Sequence, residues 1–156
     1  HLDKNGHLKL SDFSFSLLLY EEPNQIKDCI VEKDNVVRLY MHPDYVDPEI
    51  FQDPSHAIEK EHVDWWAVGC LLFEFLVGIP PFNDTTVDAI FNNARTGVLP
   101  WDQITIGYEE DNLSPEACDL IKKMLMVKPD ERITRNGTAE LKKHPFFRSK
   151  KYKTIV

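Results

Sequence analysis

A mostly helical domain, its helices gathered around one central buried helix with a small β-hairpin at the N-terminal end, is the fold the sequence predicts. Three observations lead there. The run Val63-Asp64-Trp65-Trp66-Ala67-Val68-Gly69-Cys70-Leu71-Leu72-Phe73-Glu74-Phe75-Leu76-Val77 is apolar at nearly every angle of a helical wheel, the pattern of a helix buried on all sides. Ser114-Pro115-Glu116 is a strong helix start, with a hydroxyl cap, proline at the first position and an acid for the helix dipole. Asn5-Gly6 sits between short apolar alternations and is the strongest two-residue hairpin signal.

Taken in order, Leu8 and Leu10 alternate with His7 and Lys9, which predicts a hairpin over residues 1–10 with one buried face. Leu17 to Asp53 is irregular by pattern. It carries Pro23, a mixed-charge stretch from Lys27 to Arg38, and prolines 43 and 48, with Pro54 just after it, so either a disordered segment or a functional loop is expected, with one short helical turn at Val46–Phe51. The central helix follows, ended by Gly78 and stopped by Pro80 and Pro81. Asp84 or Thr85 can cap the next helix, whose Val87, Ile90, Phe91 and Ala94 share a face, with Gly97 as its end. Pro100-Trp101 opens an acid-rich loop to Asn112. In the helix after Ser114, Ala117, Leu120, Ile121, Met124 and Leu125 form the buried stripe. Pro129 to Arg132 reads as a loop, and a last short helix from about Thr138 to Lys143 is halted by Pro145. Residues 1–148 are expected to form the domain and 149–156 a basic, loosely held tail.

Composition narrows the function classes. At 156 residues with 42% hydrophobic and 11% aromatic content the chain can bury a real core. A net charge of −8 argues against nucleic acid or an anionic membrane as partner. The three cysteines, Cys29, Cys70 and Cys118, have no metal or redox spacing, and the six histidines have no metal-ligand spacing. Reduced thiols and an intracellular location, cytoplasmic or nuclear, are the expectation. The central run is too short, and too interrupted by Asp64 and Glu74, to span a bilayer. His1 falls inside what reads as structure, so the chain is expected to be part of a longer one.

Several short motifs then fall into one order. Asp12-Phe13-Ser14 follows the hairpin. Pro43-Asp44-Tyr45-Val46-Asp47-Pro48-Glu49, Asp64-Trp65-Trp66-Ala67-Val68-Gly69, Gly78-Ile79-Pro80-Pro81-Phe82, Arg132 and His144-Pro145-Phe146-Phe147 come after it. Together they resemble the C-terminal lobe of a eukaryotic protein kinase, an α+β fold, over nearly the whole chain. The closest likeness is to the AGC group and, through Phe73-Glu74-Phe75-Leu76 and Gly78 to Asp84, to Greatwall-type serine/threonine kinases.

That resemblance implies ATP and Mg²⁺ as cofactors and a protein as substrate. It makes Asp12 the metal ligand that holds Mg²⁺ against the nucleotide phosphates. Alone, Asp12 would read as an aspartate closing a turn. Met41, His42, Pro43 and Tyr45 occupy the substrate loop, where Met41-His42 replaces the family's Gly-Thr and Asp47 stands where alanine is usual. Glu49 and Arg132 match a buried ion pair that fastens this loop, against the alternative of two unrelated surface charges. Asp64 matches the residue that receives backbone N–H groups of the catalytic loop.

Other departures matter as well. Ser14 replaces a glycine whose backbone freedom serves the active-to-inactive flip. No serine or threonine occurs from Leu17 to Pro54 to accept an activating phosphate, and Glu32 or Asp34 would either imitate one or remain solvated loop charges. The sequence contains no glycine-rich loop, strand lysine or His-Arg-Asp motif, so this chain alone is predicted to be catalytically inactive. Three functions stay in view: part of a divergent serine/threonine kinase, a pseudokinase used as a binding scaffold, and an autonomous helical interaction domain.

Overall fold

The computed structural model describes residues 1–11, 13, 16, 31–33, 36–38, 42–52, 61–107 and 112–148. The expectations placed on Asp12, Ser14, Met41 and the tail 149–156 lie outside the described residues. The chain divides into two compact units, His1–Tyr40 and Met41–Val156.

In the first unit, the chain turns back on itself through the hydrogen bonds Asp3 N–H to His7 O at 2.9 Å and Lys9 N–H to His1 O at 2.8 Å. A single antiparallel bridge joins Leu2 to Leu8. Gly6 supplies the positive φ of 83°, and its N–H returns to Asp3 O, so the loop closes on Asp3 and His7 around Lys4, Asn5 and Gly6, a longer loop than two residues. The buried face expected there does not form: Leu2, Leu8 and Leu10 are all exposed, and a single bridge with no apolar layer over it among the described residues buries little. Inside the stretch read as irregular, β1 (Val31–Lys33) pairs antiparallel with β2 (Val36–Arg38) in the register Val31 to Arg38, Glu32 to Val37 and Lys33 to Val36. The prolines and charges around it obscured a pattern only three residues long on each side.

The second unit is helical. A 3-10 turn, Pro43–Tyr45, leads into the short helix α1 (Pro48–Gln52). The central helix α2 (His62–Val77) ends on Gly78 in the left-handed conformation, φ 95°. Helix α3 (Val87–Thr96) is capped by Thr86, whose side chain accepts from Ala89 N–H. Asp84 and Thr85, the expected caps, lie just outside, with Asp84 accepting from Thr85 N–H and from the Asn93 amide. Ser114 caps α4 (Pro115–Met124) through Ala117 N–H at 3.2 Å, as its sequence predicts. The last helix, α5 (Ala139–Lys143), runs into a 3-10 turn at Pro145–Arg148.

The core is built where α2 crosses α4. Trp66, Cys70 and Phe73 meet Ala117, Cys118, Ile121 and Leu125, and Phe82, Ala94, Leu99 and Leu113 close the cluster. A second cluster, Leu120, Met124 and Leu141, packs beside it, with Trp65 and Leu72 of α2 against it. Gly69 sets the approach of the two helices: a β-carbon there would stand 2.8 Å from Leu125 Cδ2 and 3.1 Å from Met124 Cβ.

The all-round burial expected of α2 is corrected. Its buried stripe is His62, Trp66, Gly69, Cys70 and Phe73. On the opposite side Val68 is 43% exposed and Phe75 81%. Apolar composition alone could not separate a one-sided helix from an enclosed one.

Candidate functional site

The segment from His42 to Gln52 is short of hydrogen bonds of its own, since it holds one 3-10 turn and one five-residue helix. Its shape is set by side chains that reach α2 and the loops beside it. Asp47 directs this. Placed just before Pro48, it accepts Glu49 N–H at 3.0 Å and caps α1. The same carboxylate receives both terminal nitrogens of Arg132, with Nη2 to Oδ1 at 3.0 Å.

Arg132 is 1% exposed, and its burial is matched by donors fully used. Nε donates to Met126 O at 2.8 Å, Nη1 to Asp47 and His62 O, and Nη2 to Asp47 and Val127 O. Five N–H groups thus meet five acceptor contacts, the condition under which a buried guanidinium is tolerable. The guanidinium carbon also lies 4.8 Å from the Trp66 ring centroid, and that ring stacks on Phe82 at 5.4 Å.

The expected Glu49–Arg132 pair is therefore replaced. Glu49 pairs instead with the ring of His62, the first residue of α2. Asp47 caps α1 from outside it and meets the buried Arg132, while Glu49, in the first turn of α1, meets His62.

His42, Pro43 and Tyr45, read from the sequence as substrate-loop residues, lie on the same segment. Pro43 opens the 3-10 turn. His42 is exposed, with Nδ1 3.1 Å from the buried Asp44 carboxylate and its ring 5.3 Å from the Tyr45 ring. Asn83 Nδ2 donates to Asp44 at 3.3 Å. The Tyr45 hydroxyl donates to Glu74 Oε2 at 2.6 Å. That bond, with burial and the Glu74 charge adding to it, pushes the phenol up to about 12. Burial and the Asp47 charge push the Cys70 thiol up, so it stays a protonated core side chain.

Asp64 stands on the exposed side of α2, in its first turn. Among the described residues no hydrogen bond reaches its carboxylate. Partial loss of hydration raises its pKa, and the neighbouring charge of Glu61 adds to the effect. Among the described residues no group of three or more His, Cys, Asp or Glu is placed to hold a metal ion. With Asp12 outside them, the described residues do not themselves supply a metal centre. No helix among them is long and apolar enough to cross a membrane.

Sequence reasoning passed over His62, Glu74, Asp44 and Asn83. A signal existed for one of them: Glu74 is the one acid deep in an apolar run.

Residues 2–147 match the protein kinase domain family. The chain is 42% identical over 108 residues to the serine/threonine-protein kinase RIM15 of Saccharomyces cerevisiae, covering 69% of this chain and 6% of that protein. It is 41% identical to the probable serine/threonine protein kinase IRE of Arabidopsis thaliana over 99% of this chain and 14% of that protein. To the cAMP-dependent protein kinase catalytic subunit 3 of Drosophila melanogaster it is 34% identical, over 94% of this chain and 21% of that protein. The chain thus spans less than a quarter of the length of these relatives.

Proposed function

The chain belongs to the protein kinase family, and we propose that it is the C-terminal lobe of a serine/threonine kinase that transfers the γ-phosphoryl group of ATP to protein hydroxyls. The observation that carries this is the fastening of the His42–Gln52 segment, the family's substrate loop by motif, to α2 through Arg132, His62 and Glu74. A loop that presents a protein substrate to a phosphoryl donor has to be held, because positioning and electrostatics provide most of this catalysis. Asp12 would supply the carboxylate for Mg²⁺, and Asp64 would receive N–H groups of the catalytic loop. Within the family, Gly78-Ile79-Pro80-Pro81-Phe82-Asn83-Asp84 supports placement in the AGC group beside Greatwall-type kinases.

Incubating the full-length protein with labelled ATP and Mg²⁺ against serine-, threonine- and tyrosine-bearing substrates tests the reading. Label on serine or threonine, lost in Asp12→Ala, is the expected result. No transfer, together with no Asp12-dependent thermal stabilisation by Mg-ATP, overturns it. That result would favour the second reading, a divergent pseudokinase or protein-interaction scaffold. Ser14 in place of the flip glycine and Met41-His42 in place of Gly-Thr speak for that alternative.

A further inference from the structure

The pairing of Glu49 with His62 is a consequence of Asp47 having taken Arg132. Two carboxylates, two residues apart, go to different partners, and both partnerships meet at His62. Its carbonyl accepts from Arg132 Nη1 at 3.3 Å, and its ring holds Glu49. His62 is buried and opens α2, the helix that the rest of this unit packs on. Glu49 is only partly buried, so the contact closes the outer side of α1 against the head of α2, while Asp47 closes the inner side.

We propose that His62 is a positioning residue for the His42–Gln52 loop, fastening it through Glu49 at a second point beside the Arg132 fork. What the loop does rests on the kinase reading above, but how it is held does not. The sequence gives such a fastening a use. No serine or threonine lies between Leu17 and Pro54, so the segment carries no seryl or threonyl phosphate acceptor of its own, and side-chain contacts already present hold it. Asn83 on Asp44 and Glu74 on Tyr45 secure the front of the loop, and Glu49 on His62 secures its exit.

The test uses the full-length protein and reads amide hydrogen exchange at Val46 and Ile50, whose N–H groups bond to Pro43 O and Asp47 O inside the loop. His62→Leu and Glu49→Ala should each speed exchange at these two amides by about tenfold, with the double substitution adding little beyond either single one. His62→Gln, which keeps an N–H donor, should restore most of the protection. The KM for a protein substrate should rise by about fivefold in the first two variants while the KM for ATP stays put. Glu49 is only partly buried, so Glu49→Ala keeps the test alive even if His62→Leu does not fold. Unchanged exchange at Val46 and Ile50 in Glu49→Ala, or independent addition of the two effects, overturns the proposal. If exchange responds as expected but the wild-type protein phosphorylates nothing, the positioning role stands and the kinase reading falls.

Discussion

Arg132 is gripped by Asp47 at two nitrogens, while Glu49, the acid that the family motif assigns to it, turns away to His62. Loss of either member of the buried pair leaves the other desolvated and unpartnered, which costs about 3–5 kcal/mol. Asp47→Asn should therefore destabilise the chain several-fold more than Glu49→Gln in urea unfolding. If the two losses come out equal, or reversed, the assignment of Asp47 as the partner is wrong.

Arginine at 132 is not replaceable by lysine. The site uses five N–H donors and a planar face against Trp66, whereas an ammonium offers three donors and no plane. Arg132→Lys keeps the charge yet leaves backbone carbonyls of the 126–127 turn unsatisfied. A loss of about 2–3 kcal/mol is expected, read from the denaturation midpoint. A variant within about 0.5 kcal/mol of wild type would show that charge alone is what the pocket requires.

The Tyr45–Glu74 bond gives stability an alkaline limb. The Tyr45 phenol, pushed up to about 12 in the folded chain, titrates near 10 when unfolded. The folded state holds this proton more tightly, so the contribution is complete below about pH 10 and fades as pH rises through the folded value. Tyr45→Phe should flatten stability between about pH 10 and 12. In an ultraviolet titration the same substitution should remove a tyrosinate that appears near pH 12.

Asp119 gives the opposite, acidic limb. Lys123 at 2.7 Å and then His144 at 3.0 Å hold its carboxyl below the ordinary range. His144 Nδ1 accepts Phe146 N–H at 3.3 Å, so Nε2 is the nitrogen that donates to Asp119, and the 3-10 turn is tied to α4 through the ring. Asp119 is half exposed, and solvent screening limits its contribution to about 1 kcal/mol or less. That contribution is present above the ordinary carboxylate pKa and lost as pH falls through the depressed one. Asp119→Asn should destabilise at pH 7 and not at about pH 2. Equal destabilisation at both would place the effect in packing.

Much of the helical order was readable because caps and stops are local. Ser114-Pro115-Glu116, Gly78 and Gly97 act on the residues beside them, and sequence shows neighbours. The His42–Gln52 segment was legible as a motif but not as a set of contacts. Whether Asp47 or Glu49 meets Arg132, 85 residues away from Asp47, depends on which way a five-residue helix is rolled, and nothing in the sequence sets that roll. The same blindness produced the error on α2. Its apolar residues were visible, but the side that meets α4 is chosen by Gly69, whose missing side chain lets Leu125 and Met124 in. A hydrophobicity pattern gives a glycine no weight, although here it decides the face.

Gly69→Ala sets two effects of opposite sign against each other. In the middle of a helix alanine is favoured over glycine by about 1 kcal/mol, since it gives up less conformational freedom on folding. Against this, the added carbon would stand 2.8 Å from Leu125 Cδ2 and 3.1 Å from Met124 Cβ. The Leu125 methyl could turn aside only into a core where Leu125 is 3% exposed and Ile121 fully enclosed. The Met124 β-carbon is fixed by its backbone and cannot turn at all. Overpacking of this kind costs about 1–3 kcal/mol, enough to cancel the helical gain and in most of that range to exceed it. Gly69→Ala should therefore lower the unfolding midpoint, and Gly69→Ala with Leu125→Ala should lower it by less than the sum of the two single substitutions, because the second removes the nearest clash while opening space for the first. A midpoint that rises in Gly69→Ala would mean that α2 and α4 can separate freely, and that the glycine is not what fixes their approach.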